Sequence, residues 1–407
     1  MQIHPFRAWR PQPEWAAQVA APPYDVLDAD EARALAQGQP LSFLHVSKAE
    51  IDLPPTVDAH GTAVYAQAVE NFQRFRCEGV LVQEPEPTLY LYRLIRAGHA
   101  QTGLVTCCHA EDYERNVIRK HEKTLKAKED DRMRHLAALN AHTGPVFLAY
   151  RAQAELDALA QKIQAGAPLF DFTSADGVQN TLWRVPDVAG WVRAFAEIPV
   201  AYIADGHHRA AAAVRVAQER RAANPHQRGD EEYNWFMAVL FPSDQLRILP
   251  YNRCVKDLNG LTPKDFLRRV AQAGFMVAKT LAAQPPAAQH AHMYVGGKWY
   301  ALSWAPAPTA DAVSCLDVSV LQDRLLAPIL GIDDPRKNPR IEFVGGIRGT
   351  AELQQRVDAG RAAVAFAMYP TTMDQLLAIA DADQIMPPKS TWFEPKLKDG
   401  LFLHDLG

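Results

Sequence analysis

The segment Ile203-Ala204-Asp205-Gly206-His207-His208-Arg209 concentrates groups suited to handling phosphate. A glycine between a strand and a helix lets a ligand approach the backbone, the first N–H groups of a helix point outward, and an arginine can fork two bonds onto one anion. Gly206, His208 and Arg209 are therefore read as phosphate- or nucleotide-binding. Asp205 is read as a catalytic carboxylate or a single Mg²⁺ ligand, and His207 as a catalytic imidazole. A plainer reading of the same residues has Asp205 capping the helix and the histidines solvated or packed. Two adjacent histidines make a poor metal pair, because helical metal ligands prefer i, i+4 spacing.

A second group is the polar run from Arg119 to His135, in which only Leu125, Ala127 and Met133 are apolar. As a helix it has no apolar stripe to bury, so it is expected to face water or a polar ligand. At helical spacing Glu122, Lys126 and Glu129 share one face, and Lys128 and Arg132 another. Glu122 is a candidate general base, and Lys123, Lys126 and Arg132 are candidate partners for phosphate charge. The alternative is a surface helix laced by i,i+4 ion pairs. A third group, Met386-Pro387-Pro388-Lys389-Ser390-Thr391-Trp392-Phe393-Glu394-Pro395-Lys396, offers Lys389 as a phosphate ligand. It lacks the upstream glycine spacing of a P-loop. The proline-rich stretches Phe6–Pro11 and Ala21–Val26 suit a ligand wall or a well-ordered turn equally.

The elements that must position these groups alternate between strand and helix. Strands are expected over Leu41–Val46, Thr88–Ile95, Gln101–His109, Gly144–Arg151, within Gly177–Val185, and before Asp205. Helices are expected over Asp30–Gln37, Ala59–Glu78, Ala154–Ala165 and from His207 to the Asn224-Pro225 break. Tyr233–Phe241 and Leu246–Val255 read as a hairpin through Pro242-Ser243-Asp244, and Thr262 as the cap of a later helix. A composition shift near residue 258 divides the chain into 1–258, a catalytic body with a Pro-rich N-terminal segment, and 259–407, a smaller α+β domain whose tail returns toward the site. The fold class is α/β, in the sense of α+β elements with mixed sheets.

The 407 residues are 48% hydrophobic and 22% charged, close to the globular average, which excludes a mostly disordered, collagenous or coiled-coil chain. Lys and Arg number 43 against 47 Asp and Glu, for a formal charge of -4, so no global attraction to nucleic acid or anionic membrane exists. Any anion site must be local. No signal-peptide pattern and no run of about 18 apolar residues occurs, so a cytoplasmic location and no membrane partner are expected. The five cysteines are scattered without a CxxC pair, and all are expected to be buried thiols.

PFRAWRP, APPYDV, SFLHV, DYERNVIRKHEKTLKAKEDDR, TGPVFL, YIADGHHR and MPPKSTWFEPKL, in that order, resemble the domain of unknown function 1015 (DUF1015) family across nearly the whole chain. After Lys123 the sequence reads Thr-Leu-Lys-Ala-Lys where Arg-Pro-Asp often stands in that family, which leaves Leu125 and Ala127 without a role. The strand-DGHHR-helix unit is also similar to the signature of the ParB/sulfiredoxin superfamily, especially its free serine kinase branch, where that turn holds nucleotide phosphates. The resemblance implies a ParB/sulfiredoxin-like core and carries a phosphate-side or catalytic role onto Asp205, Gly206, His207, His208 and Arg209. The base carboxylate of those kinases has no counterpart here, and Glu122 is offered on chemical grounds.

The expected function is a phosphotransferase on a small hydroxylated metabolite, first L-serine or phosphoserine, with Mg²⁺ and a nucleotide such as ADP or ATP. Its partners are then a small phosphoester or amino acid and a nucleotide, without nucleic acid. Two alternatives are a ParB-like nucleotide-binding regulator and a metal-dependent hydrolase with His121, His207 and Asp205 as ligands.

Overall fold

A computed structural model describes residues 1–305 and 311–407. The described chain is a mixture of helices and mixed sheets. It divides into one unit of Met1–Lys120, Thr124–Leu246 and Pro395–Gly407 and another of His121–Lys123 and Arg247–Glu394. The division falls upstream of the composition shift at residue 258 because Tyr251–Val255 pairs with strands of the second unit.

The first unit is built on strands β1 (Ile3–His4), β2 (Tyr90–Arg96), β3 (His99–His109), β4 (Ile118–Arg119), β5 (Val146–Tyr150), β6 (Phe170–Thr173), β7 (Gln179–Arg184), β8 (Ala201–Asp205) and β9 (Trp235–Pro242). Their order is β4-β8-β5-β9-β3-β2-β7-β6, with β1 also on β3. The β4/β8 and β5/β9 pairs are parallel and the others antiparallel. β2 and β3 form the expected hairpin around Ala97 and Gly98, both at positive φ. The unit's helices include α1 (Ala29–Ala36), α2 (Leu44–Ser47), α3 (Thr62–Cys77), α4 (Lys126–Leu139), α5 (Ala154–Gln164), α6 (Val188–Ala196) and α7 (His207–Ala223).

Two hydrophobic clusters among the described residues pack this unit's helices. One fills the space between the sheet and helices α4 to α7, with Leu148, Ile203, Leu240, Phe195 and the Ala210–Ala217 face of α7 buried. The other packs α1, α2 and α3 through Phe43, Phe72 and Phe75. The tail is part of the same unit: Ala21 and Asp399 exchange backbone hydrogen bonds at 3.1 and 2.9 Å, and Leu403 pairs with Trp9.

The second unit is a sheet of β10 (Tyr251–Val255), β11 (Met276–Thr280), β12 (His290–Val295), β13 (Lys298–Ser303), β14 (Ile341–Gly345) and β15 (Val364–Met368), in the order β11-β13-β12-β15-β10-β14. Thr262 caps the helix Pro263–Gln272 by accepting from the Asp265 N–H, as its sequence position predicts.

Three expectations are corrected. Leu41–Val46 is not a strand: Leu44–Ser47 is a helical turn, its Phe43 and Leu44 packed into the α-helical core, an outcome a short apolar run leaves open. Tyr233–Phe241 and Leu246–Val255 do not form a hairpin, because β9 pairs with β3 and β5 while Ser243–Gln245 is a 3₁₀ turn. Of the cysteines, Cys107, Cys108 and Cys254 are buried, whereas Cys77 and Cys315 are exposed. Among the described residues, no helix is long and apolar enough to cross a membrane.

Candidate active site

Strand β8 delivers Asp205 and helix α7 begins two residues later. The pairing of β8 with β5 shifts register between Ile203 and Asp205, a bulge that re-aims the end of the strand. The N-cap of α7 is Gly206, with φ 90° in the left-handed region. A Cβ at Gly206 would lie 2.9 Å from Arg209 Nε and 3.0 Å from its Cζ. Gly206→Ala is therefore expected to cost about 1–2 kcal/mol through the left-handed backbone alone, with Arg209 displaced as well. Urea denaturation checks it, and an unchanged midpoint contradicts it.

Asp205 Oδ2 accepts from Lys396 Nζ at 2.9 Å and lies 3.6 Å from Arg209 Nη2. Arg209 is buried, donates to the Pro145 carbonyl, and reaches Asp25 at 4.0 Å. Its guanidinium is thus enclosed by carboxylates, which hold its pKa up against the cost of burial. His207 is fully enclosed, and burial pushes its pKa down to about 3. At neutral pH it is a neutral imidazole and not a cation for a phosphoryl group. His208 faces the other way, where its Nε2 accepts from the Leu125 N–H at 3.0 Å.

That bond joins the two sequence motifs and gives Leu125 a role as the N-cap of α4. It also corrects the expectation of one continuous helix. Since α4 begins at Lys126, Glu122 precedes it and shares no helical face with Lys126 or Glu129. The helix does bury one side, through Asp131, Met133, His135, Leu136 and Leu139. Ion pairs also join it to α7, from Arg215 to Glu129 at 3.0 Å and to Asp130 at 2.8 Å.

Arg132 stacks on Tyr24, its Cζ 4.0 Å from the ring centroid, and pairs with Asp131. Arg132, Arg209, Tyr24 and Asp399 line a cavity of about 40 Å³, room for a few waters. Asp399 is 2% exposed, and its Oδ1 has no hydrogen-bond partner. Gly144 makes room for it, since a Cβ there would fall 2.7 Å from that oxygen. Burial raises the Asp399 pKa to about 7; Arg209 opposes the shift and Asp25 adds to it.

The folded state therefore binds more protons than the unfolded one between the ordinary value of 3.8 and about 7. Stability from this group is fully present below the lower value and is lost as pH rises through the upper one. The expected slope approaches 1.4 kcal/mol per pH unit at its steepest. Denaturation midpoints measured from pH 4 to 8 should show that slope in the wild type and a flatter profile in Asp399→Asn.

The structure thus gathers Asp205, Gly206, His207, His208, Arg209 and Arg132 in the first unit. Lys126 is the exposed first residue of α4. Glu122, Lys123 and Lys389 belong to the second unit, where Lys389 lies 5.4 Å from the Tyr251 ring centroid and the His121 carbonyl accepts from the Met386 N–H. Lys396 and Asp399 were not singled out by spacing. The only signal for them is that Lys396 closes a proline-ordered motif and Asp399 precedes a glycine.

No group of three or more His, Cys, Asp and Glu among the described residues is arranged to hold a metal ion, so the hydrolase reading loses its ligand set. Asp205 is also a poor Mg²⁺ ligand. Its carboxylate already pairs with Lys396 and Arg209, which a divalent ion there would have to displace.

Residues 3–319 match the family described as Protein of unknown function (DUF1015), and the chain belongs to it. Among solved structures it is similar to a free serine kinase variant in complex with AMP, with 13% identity and a TM-score of 0.39, covering 73% of this chain and 91% of that one. A conserved hypothetical protein from Pyrococcus furiosus shows 13% identity and a TM-score of 0.37, with 72% and 93% covered. SbnI with C-terminal truncation, from Staphylococcus aureus, shows 10% identity and a TM-score of 0.38, with 72% and 85% covered. No curated protein matches the chain.

Proposed function

We propose that this protein is a phosphotransferase that moves a phosphoryl group between a nucleotide and a small hydroxylated metabolite, with L-serine or phosphoserine the first substrates to assay. The observation that carries the reading is the start of the 17-residue helix α7 at Gly206, with the Asp205 carboxylate and the Lys396 ammonium paired beside it. Helix-start amides and a lysine favour a phosphate, and a carboxylate beside them can take the proton of an attacking hydroxyl. Phosphoryl transfer asks mainly for positioning and charge stabilisation, which this set supplies without a covalent intermediate.

In this reading the amides of His207 and His208 and the ammonium of Lys396 hold the phosphoryl oxygens. Asp205 orients the hydroxyl and accepts its proton in the forward direction, returning it in reverse. Arg209 is a positioning residue: enclosed by Asp25, Asp205 and the Pro145 carbonyl, it fixes the turn on which Asp205 is carried. His207 packs as a neutral group beneath the turn.

The test is ³¹P NMR of the full chain incubated with ADP or ATP and L-serine, and separately with phosphoserine and ADP. Transfer of phosphorus between the two pools supports the reading. Unchanged spectra with these and a wider panel of small hydroxylated acceptors overturn it.

A further inference from the structure

Two cations meet at Asp205, and they are held differently. Lys396 Nζ donates to Asp205 Oδ2 at 2.9 Å, and Arg209 Nη2 lies 3.6 Å from the same oxygen. Arg209 is fixed in place. Its guanidinium donates to the Pro145 carbonyl, faces Asp25 at 4.0 Å and lies against Gly206, where an added Cβ would meet its Nε at 2.9 Å. Lys396 instead carries a compact ammonium on a flexible four-carbon stem, which can turn toward a new anion. The tail that bears it is anchored three residues further on by the paired backbone bonds between Ala21 and Asp399, so the ammonium can change partner while the chain stays.

The oxygen that would receive an acceptor hydroxyl therefore already accepts from Lys396. Without nucleotide, the hydroxyl must compete with an ammonium for that atom, and a bond between two charged groups is the stronger. A terminal phosphate carries about −1.5 to −2 charge at neutral pH, more than a carboxylate, and draws the ammonium toward itself. Arg209 stays behind, so Asp205 keeps a cation beside it after Lys396 has turned.

We infer that nucleotide prepares the acceptor site: it binds first, draws Lys396 from Asp205 to its terminal phosphate, and so opens Asp205 Oδ2 to the acceptor hydroxyl. The inference rests on the phosphotransferase reading above. Lys396 then has two roles, closing the acceptor position in the empty protein and holding phosphate in the loaded one. Because coupling between two ligands is reciprocal, the acceptor must tighten nucleotide binding by the same factor.

The experiment is a calorimetric titration of L-serine into the full chain, alone and with a saturating concentration of the α,β-methylene analogue of ADP, whose P–C–P bridge blocks transfer. L-Serine should bind about tenfold more tightly with the analogue, the worth of one hydrogen bond to a charged group, and the reverse titration should show the same factor. Lys396→Met has no ammonium to remove. It should bind L-serine without the analogue more tightly than the wild type does, and the analogue should no longer matter. Equal L-serine affinity with and without the analogue in the wild type overturns the inference, since an ammonium that keeps both partners gives that result. So does a coupling that survives Lys396→Met, or absence of L-serine binding under both conditions. The wild-type comparison stands even if the variant fails to fold. Phosphorus transfer in the ³¹P assay without this coupling removes the inference alone, whereas absence of transfer removes the phosphotransferase reading itself.

Discussion

Arg209→Ala is expected to destabilise the protein by about 3 kcal/mol, the lower end of what removing one partner from a buried charge network costs. The guanidinium is 8% exposed, donates to the Pro145 carbonyl, and lies 3.6 Å from Asp205 and 4.0 Å from Asp25. Alanine leaves both carboxylates facing one another with their shared cation gone. The side chains of Asp205 and Asp25 are 25% and 34% exposed, so water relieves part of the cost, which places the estimate at the low end. Arg209→Lys should recover only a fraction, because one ammonium cannot reproduce the planar fork that spans these acceptors. Urea denaturation followed by far-UV circular dichroism measures the loss, and a change below about 0.5 kcal/mol, the size of an ordinary surface substitution, contradicts the placement. A ligand response that vanishes in Arg209→Ala is then no evidence of direct contact, since the turn itself is disturbed.

Asp205→Asn separates chemistry from stability. Asparagine keeps the size of the side chain and an acceptor for Lys396, yet it cannot take a proton from a substrate hydroxyl. Turnover is expected to fall by about 10²- to 10⁴-fold, the usual worth of a positioned general base, in a protein that stays folded with some stability lost from weakened pairing to Lys396 and Arg209. Initial rates by ³¹P NMR measure the first quantity and urea denaturation the second. Wild-type turnover in a folded Asp205→Asn protein would remove Asp205 from the reaction.

Much of the scaffold was legible because its signals are local. The β2/β3 hairpin announces itself by two apolar runs around an Ala-Gly turn, and the helix after Gly206 by an alanine-rich run between a glycine and Asn224-Pro225. The strand-turn-helix at Asp205 follows from the same local grammar. What failed were decisions made by distant partners. Leu44–Ser47 became helical because its apolar residues fill a helical core, and β9 bypassed its neighbour in sequence to join β3 and β5.

The site shows the same contrast. Asp205, Gly206 and His208 could be picked out as a group because one turn holds them, and nothing in their spacing reveals that Arg209 is enclosed rather than open to ligand. Nor could spacing show that Lys396, 191 positions away, would sit on Asp205. Asp399 owes its unusual acidity to burial beside Gly144, and burial of a single tail carboxylate leaves no periodic trace. Glu122 looked like a helical base only while the polar run was taken as one helix, and the bond from the Leu125 N–H to His208 ends that reading.

The most direct test of the central claim is calorimetric titration of ADP into the full chain, wild type against Lys396→Met. Lys396 pairs with Asp205 at 2.9 Å and belongs to the tail of the same unit, so its loss removes the proposed phosphate contact while leaving the enclosed Arg209 network in place. The account predicts saturable binding by the wild type and about tenfold or weaker affinity in Lys396→Met, one charge-assisted contact. Absence of ADP binding by the folded wild-type protein, or equal affinity in both proteins, would contradict it.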